Sequence, residues 1–345
     1  MKAATWMSDD PLNERLLHID PRASRFDDRR VRELPELLHD GDLLVVNDAA
    51  TLPASLGGKR EDGSPMELRL VEAPVAGEAR AVLFGAGDWH ARTEDRPAPA
   101  RAHAGERFQF GHGLEAVVLD VDPKHDRLLR VKLLPNGDAL WAALYAAGAP
   151  VQYSHLVKPL QLWAPQTVYA ARPWAVEMPS AGRPLRWELL LELRRRGVRW
   201  ARLTHAAGLS STGDDALDAA LPLRERYEIP DETVSELESA KSRGARVIAV
   251  GTTVVRALEG CAIERGRVLP GAGETSLRIG PGFVPKIVHG LFTGMHDPTA
   301  SHFALLHAFA PGALLRDAHG HADRAGYLGH EFGDSALILP SRESI

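Results

Sequence analysis

The chain has a single cysteine, Cys261, in 345 residues. One thiol excludes an internal disulfide framework and any cysteine-clustered metal centre. Long apolar runs are missing as well. No stretch approaches the roughly 20 residues that span a bilayer, so no transmembrane helix is expected. Met1 to Leu17 is interrupted by Asp9, Asp10, Glu14 and Arg15, which breaks up any signal-peptide core, and a cytoplasmic location is expected. Basic excess is absent too: 41 Lys+Arg stand against 46 Asp+Glu, a formal net charge of −5. A chain coated with basic residues for nucleic acid is thereby excluded, while a local basic face is not. Neither G-x-x-x-x-G-K-[ST] nor G-x-G-x-x-G occurs, so P-loop and Rossmann dinucleotide sites are unsupported.

What is present changes texture along the chain. Leu43 to Val46 is a short apolar strand ending at Asn47-Asp48. From about 58 to 134, short alternating segments are punctuated by Gly, Pro, Asp and His, the pattern of a small barrel or sandwich. A helix is expected at about 138–147, closed by Gly148. From about 183 onward, helical and strand patterns alternate. They predict a helix at 185–196, a strand Val198 to Leu203, and a helix at 231–242. Then come a strand Arg246 to Val250, a helix from the following Thr-Thr, strands Ser276 to Ile279 and Lys286 to Phe292, and a helix at 298–309. Such alternation indicates a mostly parallel sheet covered by helices. The expected fold is therefore a large mixed α/β domain with a small all-β barrel domain inserted. Its first part is 1–57, the barrel 58–149 and its second part 150–345.

Open α/β sheets bind ligands beyond the carboxyl ends of their strands. Four such ends carry small or polar residues: Thr204-His205, Gly251-Thr252-Thr253, Gly280-Pro281-Gly282 and Gly294-Met295-His296-Asp297. At the second, Gly251 permits a tight turn and Thr252 or Thr253 could cap the helix. The helix N-terminus would offer free N–H groups to a phosphate or an amino-acid carboxylate. Asp297-Pro298 reads as another helix start, with Asp297 as N-cap. His302 and His307 are expected on a helix surface, whereas His296, in a loop, suits proton transfer. The histidine spacing does not match a metal motif, and no metal is expected. Between Arg183 and Arg202 lie seven arginines and two glutamates, read as a solvated helix face rather than a phosphate track.

At these same residues the chain resembles the queuosine-biosynthesis family of S-adenosylmethionine:tRNA ribosyltransferase-isomerases. The resemblance runs through Gly41 to Asp48, Pro53-Ala54, Gln166 to Ala170, Pro179 to Gly182, and most strongly Gly244 to Glu259. It continues in Thr275 to Gly282, Leu291 to His296, Pro298 to Ser301, Ala308-Phe309 and Gly333-Asp334. The resemblance implies a barrel inserted in an α/β domain. It also implies transfer of the ribosyl part of S-adenosylmethionine to 7-aminomethyl-7-deazaguanine in tRNA, giving epoxyqueuosine and releasing adenine and methionine. No cofactor beyond S-adenosylmethionine as co-substrate is implied. Its partners would be S-adenosylmethionine and tRNA, with a monomer favoured and no membrane. On this resemblance His205, His296 and Asp297 are the expected catalytic residues. Gly251, Thr252, Thr253, Gly280, Gly282, Ala181 and Gly182 are the expected binding residues. Some positions depart from the family pattern. Arg183-Pro184-Leu185 replaces a usual Leu-His-Phe, and Leu221-Pro222-Leu223-Arg224 replaces a histidine-rich stretch before Glu225. Gly294 stands where asparagine is usual. The alternative to the family reaction is a diverged paralogue that binds S-adenosylmethionine or a related nucleoside with another acceptor.

Overall fold

The structure, a computed structural model, describes residues 1–341; the last four residues of the expected second part lie outside them. Its centre is the strand Leu43–Asn47, buried along its whole length. A strand covered on both faces must be apolar throughout, and pleating then divides its side chains between two cores. Leu43 and Val45 pack on one face with Val254, Leu258 and Leu315, so the helices Thr252–Arg265 and Gly312–Ala325 cover it. Leu44 and Val46 pack on the other face with Leu34, Leu189 and Leu193, beneath the helix Trp187–Arg195. Complete burial of one such leucine contributes roughly 1.5–3 kcal/mol.

The sheet has nine strands. In spatial order they are Gly271–Thr275, Glu225–Ile229, Arg199–His205, Leu43–Asn47, Val247–Val250, Gly290–Gly294, Ser335–Ile338, Arg15–Asp20 and Arg25–Arg30. Four central strands, Arg199–His205 to Gly290–Gly294, run parallel to one another, as the alternating helices predict. Toward both margins the pairing is largely antiparallel, so the sheet is mixed rather than mostly parallel. One marginal pair, Arg15–Asp20 with Arg25–Arg30, is a short hairpin and must be antiparallel; the other antiparallel partners are joined by longer connections that return the chain in the opposite direction.

Two strand expectations are corrected. Residues 276–279 form no strand; the strand is Gly271–Thr275, a glycine-rich segment against Glu225–Ile229. A β-carbon on Gly273 would come within 2.4 Å of the Tyr227 ring, so only glycine can cross there. The strand expected at Lys286 to Phe292 is Gly290–Gly294, because the backbone N–H groups of Lys286, Ile287 and Val288 all bond the Glu259 carboxylate instead.

Six antiparallel strands close a barrel in the order Glu115–Val121, Leu128–Leu134, Glu78–Phe84, Pro65–Leu70, Ser55–Arg60 and Arg107–Phe110. Ser55–Arg60, with its Gly-Gly pair, begins before the expected barrel start. A β-carbon on Gly58 would lie 2.4 Å from the Gln109 carbonyl, so glycine lets these strands close. The chain enters the barrel through Ala49–Thr51, which pairs with the returning segment Arg172–Ala175. Gln166 clasps that entry: it accepts from Thr51 N–H at 2.9 Å and donates to Thr51 C=O at 2.9 Å. No helix among the described residues is long and apolar enough to cross a membrane.

Candidate functional site

Strand directions bring the carboxyl ends of the parallel strands to one edge of the sheet. Asn47, His205 and Gly251 lie there, with the segment after Gly294. Antiparallel pairing adds the starts of two other strands, Glu225 and Ser335, to the same edge. The barrel entry also leaves from it, immediately after Asn47. A cleft of about 400 Å³ opens at this edge, lined by Trp6, Glu14, Arg15, Phe332, Gly333 and Asp334 among others.

Asn47 joins three elements. Its amide nitrogen donates to the His205 carbonyl at 3.0 Å and lies 3.4 Å from Thr253 Oγ1. Its amide oxygen accepts from the backbone N–H groups of His205 at 2.9 Å and Ala49 at 3.0 Å. Beside it, Thr204 Oγ1 donates to Asp48 at 2.6 Å. Gly251 turns the chain at φ 90°, in the region glycine favours, and its N–H bonds the Phe292 carbonyl at 2.8 Å. The helix begins at Thr252. Gly251 is its cap position and neither threonine side chain caps it, which corrects the expected threonine cap. The first N–H groups of this helix point toward the sheet edge without intrahelical acceptors, as at any helix start. Ala181 reaches the same turn: its β-carbon is 3.5 Å from where a Gly251 β-carbon would sit. Gly182 is pressed against Tyr169, whose hydroxyl would lie 2.1 Å from an added β-carbon.

His205 is fully buried. Neither ring nitrogen has a hydrogen-bond partner among the described residues, although Nε2 lies 3.4 Å from Glu225 Oε2. Glu225 in turn meets Arg256 at 2.7 Å and accepts from the Gly208 N–H at 2.8 Å. Burial, with the Arg256 cation beside it, holds the imidazole well below its ordinary pKa, so His205 is neutral at neutral pH. Burial raises Glu225, against the opposing pull of Arg256. Asn47, Glu225 and Arg256 are absent from the expected site residues. The available signal was position: Asn47 ends the most apolar strand, and Arg256 lies four residues after Thr252, one turn further along the same helix.

His296 is half-buried. Its Nε2 lies 2.7 Å from Thr293 Oγ1, and its ring stacks on His302 at 5.3 Å and 17°. Burial, then His302 and His330, push its pKa down to about 3. Burial and Arg256 lower His302 also, so that residue is part of this cluster and not merely helix surface. One guanidinium therefore acts on both His205 and His302.

Asp297 behaves differently from the expectation. It is exposed, accepts from Thr299 N–H at 2.8 Å and Thr299 Oγ1 at 2.5 Å, and caps no helix; the helix is Ser301–Leu306. The closed turn of Asp297 with Thr299 consumes the oxygen a cap would use. Gly280 and Gly282 follow Thr275 in an open loop. The loop is tied to the helix Thr252–Arg265 through Arg256 Nε and the Leu277 carbonyl at 3.2 Å. A β-carbon added at either glycine would have no neighbour within 4 Å, so neither packs against the Asn47–Gly251 cluster.

The arginine-rich segment is largely spent on carboxylates: Arg195 and Arg196 on Glu192, Arg199 on Glu236, and Arg202 near Asp48. Its helix face is solvated, as expected. Arg183, the departure from the family pattern, is buried against Glu14 and takes no part in the cluster above.

The family model for queuosine biosynthesis protein matches residues 4–338. A Thermus thermophilus protein named S-adenosylmethionine:tRNA ribosyltransferase-isomerase is 36% identical over 324 residues, covering 90% of this chain and 88% of that protein. One of the same name from Natranaerobius thermophilus is 31% identical over 329 residues, covering 94% and 92%. The crystal structure of an S-adenosylmethionine tRNA ribosyltransferase from Thermotoga maritima superposes with a TM-score of 0.53 at 27% identity, covering 98% of this chain and 96% of that one. With nearly its whole length matched by the model and by relatives above 30% identity, the chain belongs to the queuosine-biosynthesis family of S-adenosylmethionine:tRNA ribosyltransferase-isomerases.

Proposed function

We propose that this chain is an enzyme that moves the ribosyl part of S-adenosylmethionine onto 7-aminomethyl-7-deazaguanine in tRNA, with release of adenine and methionine. The carrying observation is the convergence of Asn47, His205, Gly251–Thr253 and Ala181 on one sheet edge, in a chain matched to this family from end to end.

The electrostatics favour a cationic substrate. His205, His296 and His302 are all held neutral, and Arg256 is balanced by Glu225. A sulfonium thus enters an edge from which imidazolium charge has been removed. The sulfonium acidifies the ribose 5′ carbon. The neutral His296 accepts a proton or a hydrogen bond there: its low pKa keeps the ring unprotonated at neutral pH, while making it a weak base. The helix N-terminus at Gly251–Thr253 receives the methionine carboxylate. Asp297 holds the methionine ammonium or a ribose hydroxyl. Ala181, against the Gly251 turn, supplies close-approach surface for the nucleoside. His205, fully enclosed, acts through Asn47 and Glu225 to hold the floor of the site. S-adenosylmethionine is the co-substrate and tRNA the acceptor. A cytoplasmic, monomeric protein with a barrel domain beginning at about 55 completes the reading.

The test is direct. The protein is incubated with S-adenosylmethionine and tRNA carrying the deazaguanine precursor, and digested nucleosides are analysed by mass spectrometry. Epoxyqueuosine and free adenine are expected together. Tight S-adenosylmethionine binding with neither product would reject the transfer reaction.

A further inference from the structure

His155 meets the adjacent pair His330-Glu331 from a distant segment, beside the His296 end of the cluster described above. Each offers one ligand atom, and those atoms all lie within 4.8 Å of one another. His155 Nε2 and Glu331 Oε2 are 2.8 Å apart, with side chains only 16% and 28% exposed. The two imidazoles stand 4.4 Å apart, centroid to centroid, at 35°. Tyr153 lies nearly parallel to the His155 ring at 6.4 Å and 12°. His330 occupies a left-handed conformation at φ 67°, uncommon for a side-chain-bearing residue, and its carbonyl closes a turn with Gly333 N–H at 3.0 Å. Two tilted imidazoles beside one carboxylate, His155 bonded to it and the exposed His330 next to it on a tight turn, form a compact donor set that a simple surface ion pair does not need.

We propose that His155, His330 and Glu331 bind one zinc-class divalent cation, with a fourth position open to water. Two imidazole nitrogens and one carboxylate oxygen are a known tetrahedral zinc set. Bond lengths of that class place ligand atoms about 3.4 Å apart. Small ring rotations bring the three atoms to that spacing. The cation takes the place of the proton shared between His155 and Glu331, and that proton leaves to solvent. Imidazole donors exclude magnesium and calcium, which demand oxygen ligands. Occupancy ties the segment around Tyr153 to the turn before the strand Ser335–Ile338. This assignment does not depend on the ribosyl-transfer reading.

Tag-free protein, stripped with a chelator and dialysed, is titrated with zinc chloride by calorimetry, and separately with cobalt(II) while the visible spectrum is recorded. One equivalent of zinc, a tetrahedral cobalt spectrum and a higher Tm with zinc are expected, with no response to magnesium. His155→Ala, His330→Ala and Glu331→Gln each weaken zinc binding by about 100-fold, at least the loss seen for supporting residues of metal sites. His112→Ala, at an exposed histidine in the barrel, leaves it unchanged. Glu331→Gln keeps the side-chain shape, and its metal-free melting curve separates lost binding from lost folding. Absence of a stoichiometric site, or a site indifferent to all three substitutions, overturns the assignment.

Discussion

Arg183 and Glu14, 169 residues apart, face each other as a two-point ion pair with both N–O distances at 2.7 Å. Arg183 Nη2 also donates to the Gly333 carbonyl at 3.3 Å, and the guanidinium sits 5.7 Å from the Phe332 ring centre. The residue that most visibly departs from the family pattern thus fastens the N-terminal segment to the end of the chain.

Removing one partner from a buried pair leaves an uncompensated charge, which costs about 3–5 kcal/mol. Arg183→Leu is expected to destabilise the protein by that amount in urea titrations. Glu14→Leu combined with Arg183→Leu should recover part of the loss, since no orphan charge remains. A double variant as unstable as the two single losses added together would show that the pair is not coupled.

Gly251 adopts φ 90° with no crowding atom nearer than 3.5 Å to an added β-carbon. Gly251→Ala therefore acts through backbone strain alone, with an expected loss of about 1–3 kcal/mol. It also shifts the helix start that is proposed to receive a carboxylate. Calorimetry should show weaker S-adenosylmethionine binding for Gly251→Ala, and for Thr252→Val with Thr253→Val. Unchanged affinity in both would remove the helix end from the binding site.

His296→Ala deletes the proposed proton acceptor. Rates of adenine release are expected to fall by about 100-fold or more, the lower range for general acid–base residues. The KM for S-adenosylmethionine should change little, because the nucleoside and carboxylate contacts lie elsewhere. A raised KM with unaltered kcat would assign His296 to binding instead.

Stability should fall on mild acidification. In the unfolded chain a histidine titrates near 6.5. In the fold His205 lies well below that, chiefly through burial and secondarily through Arg256. Above about pH 6.5 neither state is protonated and the folded state carries no penalty. Below it the unfolded chain takes up a proton that the buried ring refuses, so stability is lost as pH drops, at up to about 1.4 kcal/mol per pH unit. Urea midpoints measured from about pH 7.5 down to 5 should decline, and His205→Gln should flatten that decline. An identical slope in the variant would place the pH response on other groups.

Some elements were legible from local signals. The helices Asp231–Ser242 and Asp138–Ala147 fall where helix formers and terminal glycines predict them. The apolar run before Asn47 is the central strand, and the alternating segments before residue 134 do close a barrel. Gly271–Thr275 and Ser55–Arg60 were not legible, because their glycines read as loop. Gly273 and Gly58 are there to clear partners, Tyr227 and Gln109, that are distant in sequence. Asp297 carried every local mark of a cap, yet its carboxylate closes on Thr299.

The sequence by itself determined the layer pattern, the presence of a small barrel, and three of the four polar strand ends, those at His205, Gly251 and Gly294. Those features follow from hydrophobic periodicity and turn chemistry, which act over a few residues. Only the tertiary structure decided that Asn47 binds His205 and Thr253, that Glu225 balances Arg256, and that His205 and His296 stay neutral. Those properties depend on burial and on charges brought close from far along the chain, and neither is encoded in any short stretch of residues.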